Sequence, residues 1–103
     1  MAETRSLLVV VPHPDDCSIK TGGTAAKHVE AGHEVTFLSM TDGSAGHHKM
    51  DRFALAARRK RETEAVAETL GIDYEVFDIP DGGLTPSLEN RRRLIRFIRG
   101  VDP

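Results

Sequence analysis

Three short runs rich in β-branched and aromatic residues, SLLVVV (6–11), EVTFLSM (34–40) and YEVFDI (74–79), each precede a stretch that reads as a helix. Strands alternating with helices at this spacing leave few architectures, because parallel strands need long crossover connections and the crossovers are right-handed. The first run is continuous and apolar, which predicts a strand buried on both faces. TGGTAAKHVEAGH (21–33) carries Ala25, Ala26 and Val29 at helical spacing, with Gly32 as a natural stop. Residues 51–70 contain neither Pro nor Gly and predict a long helix, with Asp51 as its N-cap and Gly71 at its end. PDGGLTP (80–86) is a turn cluster, after which Ser87 caps a helix over 88–99 with Leu88, Ile95, Ile98 and Val101 on or near one face. The order βαβαβα predicts the α/β class, a three-layer Rossmann-like arrangement around a mainly parallel sheet.

At 103 residues the chain has room for a single domain over 1–103. It ends at RGVDP, directly after a helix that should feed another strand. Three parallel strands leave an open edge, so we expect the N-terminal part of a longer domain. A chain of this length standing alone would need a partner over that edge, and a homo-oligomer is one way to provide it. A formal net charge of −2 gives no reason to expect nucleic acid or an anionic membrane as partner. One cysteine cannot form an internal disulfide, SLLVVV is too short for a signal-peptide core, and no run approaches a membrane span. The expected location is cytoplasmic.

In open α/β sheets, ligands bind beyond the carboxyl ends of the strands. Three loops leave those ends: PHPDDCS (12–18), TDGSAGHH (41–48) and PDGG (80–83). They should bring His13, Asp15, Asp16, Cys17, Asp42, His47, His48 and Asp81 to one rim. A histidine and a carboxylate three residues apart can ligate one metal from a single turn, and imidazole with carboxylate suits Zn²⁺. His13 and Asp16 are the candidate ligands, two of the three that a catalytic zinc site takes. Asp15 is then placed to act as a general base on a metal-bound water. Plainer readings stand beside these. PHPDD can be an ordinary Pro/Asp turn, and Cys17 a small buried hydrophobe. At least one of His47 and His48 is expected to be an exposed loop residue, and His28 and His33 to be structural. Arg59 and Glu62 are spaced for a surface ion pair, while RRKR (58–61) and RRR (91–93) read as solvated helix faces. TGG (21–23) lacks the pattern of a dinucleotide fingerprint.

The same residues, in the same order, resemble the LmbE-like (PIG-L) N-acetylglucosaminyl deacetylases, zinc hydrolases on a Rossmann-like fold. That family opens with a buried strand, a motif close to A-H-P-D-D-E and a Gly-Gly-Thr entering a helix; here the stretch is PHPDDCSIKTGGT (12–24). GHEV (32–35), TDGSAG (41–46), Arg59 with Glu62 ahead of LG (70–71), and PDGG (80–83) follow the family pattern downstream. The resemblance implies that His13 and Asp16 are Zn²⁺ ligands, Asp15 the general base, and Arg59 and Asp81 substrate contacts. It implies hydrolysis of the acetyl group from a small-molecule N-acetylated amino sugar or its conjugate. Cys17 stands where the family has Glu, and Pro12 where Ala is common. The family's third zinc ligand and assisting histidine belong to a His-Pro-Asp-His-like motif that does not occur here, so this stretch alone is expected to be inactive. A non-catalytic α/β module that binds a sugar or phosphate is the alternative, and a redox or metal-sensing role through Cys17 is a third reading.

Overall fold

The computed structural model describes residues 3–45 and 49–103. The elements run β1 (Ser6–Val11), α1 (Asp16–Glu30), β2 (Glu34–Ser39), α2 (Arg52–Leu70), β3 (Asp73–Val76) and α3 (Leu88–Val101). The three strands form one parallel sheet in the order β1-β2-β3, with Ser6 opposite Glu34 and Thr36 opposite Asp73 at the start of the two ladders.

Strand alternation divides the core into two layers. On one face Val35 and Phe37 pack with Leu7, Val9 and Val11 of β1, with Cys17, Ala25 and Val29 of α1, and with Ala67 and Leu70 of α2. On the other face Leu38, Phe77 and Ile79 pack with Leu8 and with Leu94 and Phe97 of α3. Two helices therefore cover one side of the sheet and one covers the other, which is the expected three-layer α/β arrangement. Phe37 and Leu38 are fully buried on opposite faces of β2, the central strand. Burying each stabilises the fold by about 1.5–3 kcal/mol relative to an exposed position.

The expectation of a first strand buried on both faces is corrected here. β1 is an edge strand among the described residues and only half-buried, and Val10 is 40% exposed. β2 is the buried strand. The third strand ends at Val76 rather than at residue 79, because Val76 pairs with Ser39 and β2 goes no further. Phe77 and Ile79 still alternate inward past that point, while Asp78 turns out to Arg93 at 2.6 Å.

The helices follow local chemistry. Asp51 caps α2 by accepting the Ala54 N–H at 3.0 Å, and Ser87 caps α3 by accepting the Asn90 N–H at 3.1 Å. Gly71 closes α2 at φ 70°, in the left-handed region that glycine enters without strain. The first helix begins five residues earlier than the reading from Thr21. Its buried stripe starts at Cys17 and continues through Ala25, so the apolar register extends back into PHPDDCS. The stripe on α3 is also corrected: Leu94 and Phe97 face the sheet, whereas Leu88, Ile95 and Ile98 are exposed. At 3.6 residues per turn these two sets lie on neighbouring sides of the helix. RRR is not wholly solvated either, since the Arg93 guanidinium lies 4.1 Å from the centre of the Phe77 ring. Among the described residues no helix is long and apolar enough to cross a membrane.

Candidate functional site

The loops leaving β1, β2 and β3 meet at the carboxyl ends of the strands. Pro12 ends β1, and its carbonyl accepts the Thr41 N–H at 3.1 Å and the Thr41 hydroxyl at 2.6 Å. That ties the first loop to the second. Asp42 ties the second to the third: its N–H donates to Ile79 O at 3.0 Å, and its Oδ1 accepts the Asp81 N–H at 3.0 Å and the Ser44 N–H at 2.9 Å. Gly43 turns at φ 69° against Pro14, so close that a Cβ there would lie 2.9 Å from Pro14 Cδ.

Within this frame residues 13–16 form a reciprocal turn. The Asp16 N–H donates to His13 O at 3.2 Å, and Asp16 Oδ2 accepts the His13 N–H at 3.3 Å. The backbone thus faces the two side chains toward each other, with His13 Nδ1 3.5 Å from Asp16 Oδ2. The other ring nitrogen, Nε2, lies 3.1 Å from Asp81 Oδ1. The carboxylate of Asp15 is held separately, its Oδ2 3.2 Å from Arg59 Nη1. The same guanidinium nitrogen donates to Glu62 Oε2 at 2.9 Å. Burial works against the Glu62 carboxylate, but hydrogen bonds and charge from Arg59 and Arg58 outweigh it and hold its carboxyl below the usual range. His13, Pro14, Asp15, Gly43, Arg59 and Asp81 line a cleft of about 180 Å³. A larger hollow of about 430 Å³, lined by Ser6, Glu34 and Asp73 among others, opens at the opposite, amino ends of the strands.

The two candidate ligands, the candidate base and the two candidate substrate contacts therefore lie together, with His13, Asp15, Arg59 and Asp81 in the cleft wall and Asp16 against His13. Arg59 forms the expected ion pair with Glu62, but it is only 22% exposed and reaches Asp15, so it is not part of a solvated face. Asp42 and Ala45 hold Asp81 by hydrogen bonds that spacing in the sequence does not reveal. His28 and His33 are structural, as expected: His33 Nδ1 accepts the Arg5 N–H at 2.9 Å, and the two rings lie 5.6 Å apart. His47 and His48 lie outside the described residues. Cys17 is fully buried, and burial pushes its thiol up to about 11 despite the partly offsetting Tyr74 hydroxyl. This overturns the reading of Cys17 as a reactive redox sensor and supports the small buried hydrophobe.

The donors of the His13–Asp16 turn fit two corners of a zinc site. Bonds of 2.0–2.1 Å in tetrahedral geometry separate two ligand atoms by about 3.3 Å, close to the observed 3.5 Å between Nδ1 and Oδ2. Of the two ring nitrogens only Nε2 lies at hydrogen-bond distance from a carboxylate, that of Asp81, so Nδ1 and Asp16 Oδ2 are the facing pair of atoms that could share a cation. A carboxylate on the remote ring nitrogen is the usual partner of a metal-ligating histidine. Among the described residues, no group of three or more His, Cys, Asp or Glu is arranged to hold a metal ion.

Comparison with known proteins identifies the family and the fold. The family model described as PIG-L, GlcNAc-PI de-N-acetylase, matches residues 8–103. Diacetylchitobiose deacetylase of Thermococcus kodakarensis is 36% identical over 104 residues, covering 98% of this chain and 39% of that protein. The solved structure of N,N'-diacetylchitobiose deacetylase from Pyrococcus horikoshii superposes with a TM-score of 0.87 at 36% identity, over 97% of this chain and 38% of that one. The 4-carboxy-2-hydroxymuconate hydratase of Pseudomonas putida superposes with a TM-score of 0.85 at 28% identity, over 98% of this chain and 45% of the other. The chain spans about two fifths of the length of these proteins.

Proposed function

We propose a function on one premise: the chain belongs to the PIG-L family, whose model is described as GlcNAc-PI de-N-acetylase. The whole protein is a zinc-dependent hydrolase that removes the acetyl group from a small N-acetylated amino sugar or its conjugate. The observation that carries this reading is the His13–Asp16 pair, facing across 3.5 Å with Asp15 between them in the chain and turned toward the cleft. His13 and Asp16 would hold the zinc, with further ligation from the rest of the protein. When bound, zinc supplies Lewis-acid polarisation of the amide carbonyl and makes a nearby water more acidic. Asp15 accepts a proton from the attacking water as the new C–O bond forms. Arg59 engages Asp15 Oδ2 at 3.2 Å, which leaves the second carboxylate oxygen to take that proton. The C–N bond then breaks as the proton held by Asp15 passes to the leaving nitrogen, which regenerates the carboxylate, and proton exchange between the acetic acid and the amine leaves acetate and the ammonium form.

A hydratase reading has one observation in its favour, the likeness to the Pseudomonas putida enzyme. A base beside a Lewis acid can also add water to an activated double bond. The deacetylase reading stands ahead of it because the relative sharing 36% identity acts on an N-acetylated sugar by its name. The test uses the full-length protein loaded with zinc, with acetate release measured from N-acetylglucosamine and diacetylchitobiose and water addition measured with 4-carboxy-2-hydroxymuconate. Acetate release with stoichiometric zinc is expected. Hydration without acetate release would replace this reading with the second one.

A further inference from the structure

Asp81 stands 68 residues from His13 in the chain, on the turn after β3, and its two carboxylate oxygens have different partners. Oδ2 accepts the Ala45 N–H at 3.2 Å, and Oδ1 lies 3.1 Å from His13 Nε2. The backbone of Asp81 is held as well. Its N–H donates to Asp42 Oδ1 at 3.0 Å, and its carbonyl accepts from Arg52 Nη2. Asp42 is itself fixed by its N–H bond to Ile79 O and by the Ser44 N–H on its carboxylate. The side chain of Asp81 is 14% exposed, whereas that of His13 is 50% exposed. The better-anchored member of the pair is therefore the aspartate, and the ring is the part that takes its orientation from the contact.

We propose that Asp81 is a positioning residue: its carboxylate accepts the Nε2–H of His13 and thereby keeps the Nδ1 lone pair directed at Asp16. A neutral imidazole carries one N–H, and of the two carboxylates beside the ring only Asp81, at 3.1 Å from Nε2, makes a hydrogen bond, whereas Asp16 Oδ2 stands 3.5 Å from Nδ1; the closer acceptor selects the tautomer with the proton on Nε2. The proton on Nε2 leaves Nδ1 as the acceptor, on the side where Asp16 Oδ2 waits at 3.5 Å. A carboxylate in this place also raises the basicity of the ligating nitrogen, and loss of such a partner typically weakens metal binding about 10–100-fold. Asp42 acts one step behind, by holding the Asp81 backbone through the bond at 3.0 Å. The value of this tautomer for zinc rests on the proposed function, but the tautomer itself requires neither zinc nor turnover.

The experiment reads the His13 imidazole by nitrogen-15 NMR in the zinc-free full-length protein, at about pH 8.5 where an ordinary histidine is neutral. His13→Gln identifies the signal. A single Nε2-protonated tautomer is expected in the wild-type protein, and an Nδ1-protonated ring or an even mixture would overturn the proposal without any variant. In Asp81→Ala the ring should become a tautomer mixture, and the zinc dissociation constant should rise about 10–100-fold. An unchanged tautomer with unchanged zinc affinity in that variant would overturn it as well. Absence of acetate release from the wild-type protein would count against the deacetylase reading alone, because the tautomer signal is independent of it.

Discussion

Arg59 Nη1 lies 3.2 Å from Asp15 Oδ2, so the middle of α2 holds the residue that immediately precedes α1. Glu62, one turn further along α2, backs the same nitrogen at 2.9 Å. The chain Glu62–Arg59–Asp15 fixes the orientation of the proposed base. Arg59→Ala in the full-length protein should lower kcat/KM by about 10–100-fold, the equivalent of one charge-assisted hydrogen bond of about 1.5–3 kcal/mol. Its unfolding free energy should change by less than about 1 kcal/mol, since part-exposed ion pairs contribute little. Arg59→Lys should recover only part of the rate, because an ammonium lacks the planar fork. Steady-state kinetics beside denaturant unfolding separates the two effects, and an unimpaired Arg59→Ala enzyme would remove Arg59 from the site.

Gly43 joins the second loop to the first through Pro14. With φ at 69° and a Cβ position 2.9 Å from Pro14 Cδ, Gly43→Ala must shift the proline or the loop. We expect a loss of about 1–3 kcal/mol in unfolding free energy from backbone strain and overpacking. Zinc affinity should fall with it, because Pro14 lies between His13 and Asp15. Urea denaturation and a chelator competition measure both. An unaltered midpoint would mean that the loops do not press on each other as described.

Cys17 should behave as part of the core. Its thiol is raised by burial from 9.0 to about 11, so the folded protein holds the proton longer than the unfolded chain does. The stabilisation is fully present below pH 9.0 and declines as the pH rises toward about 11. Native protein should react slowly with a disulfide reagent at neutral pH, and unfolded protein quickly. A fast native reaction would place the thiol outside the core.

The fold was largely legible because its signals are local. The first two β-branched runs, the Asp51 and Ser87 caps and Gly71 each carry their own chemistry, and each appears in the structure at its expected place. The errors fall where an element depends on its neighbours. β3 stops at Val76 because β2 stops at Ser39, which no property of YEVFDI reveals. α1 starts at Asp16 because Cys17 packs against the sheet, although Pro14 and the paired aspartates look like loop. The site was legible as a set of residues, since strand ends converge in this architecture. The pairings within it were not. That Asp81 meets His13, and that Asp42 and Ala45 hold Asp81, depends on contacts spanning 68, 39 and 36 residues.

The central claim is that Asp15 is the base beside a zinc held by His13 and Asp16. Its most direct measurement compares wild-type and Asp15→Asn full-length protein for zinc content and for acetate release from an N-acetylated amino sugar. Asparagine keeps the shape of Asp15 and removes its capacity to take a proton. The account predicts unchanged zinc content and a fall in turnover of about 100-fold or more, the usual scale for losing a general base. Wild-type turnover in Asp15→Asn with zinc still bound would contradict it.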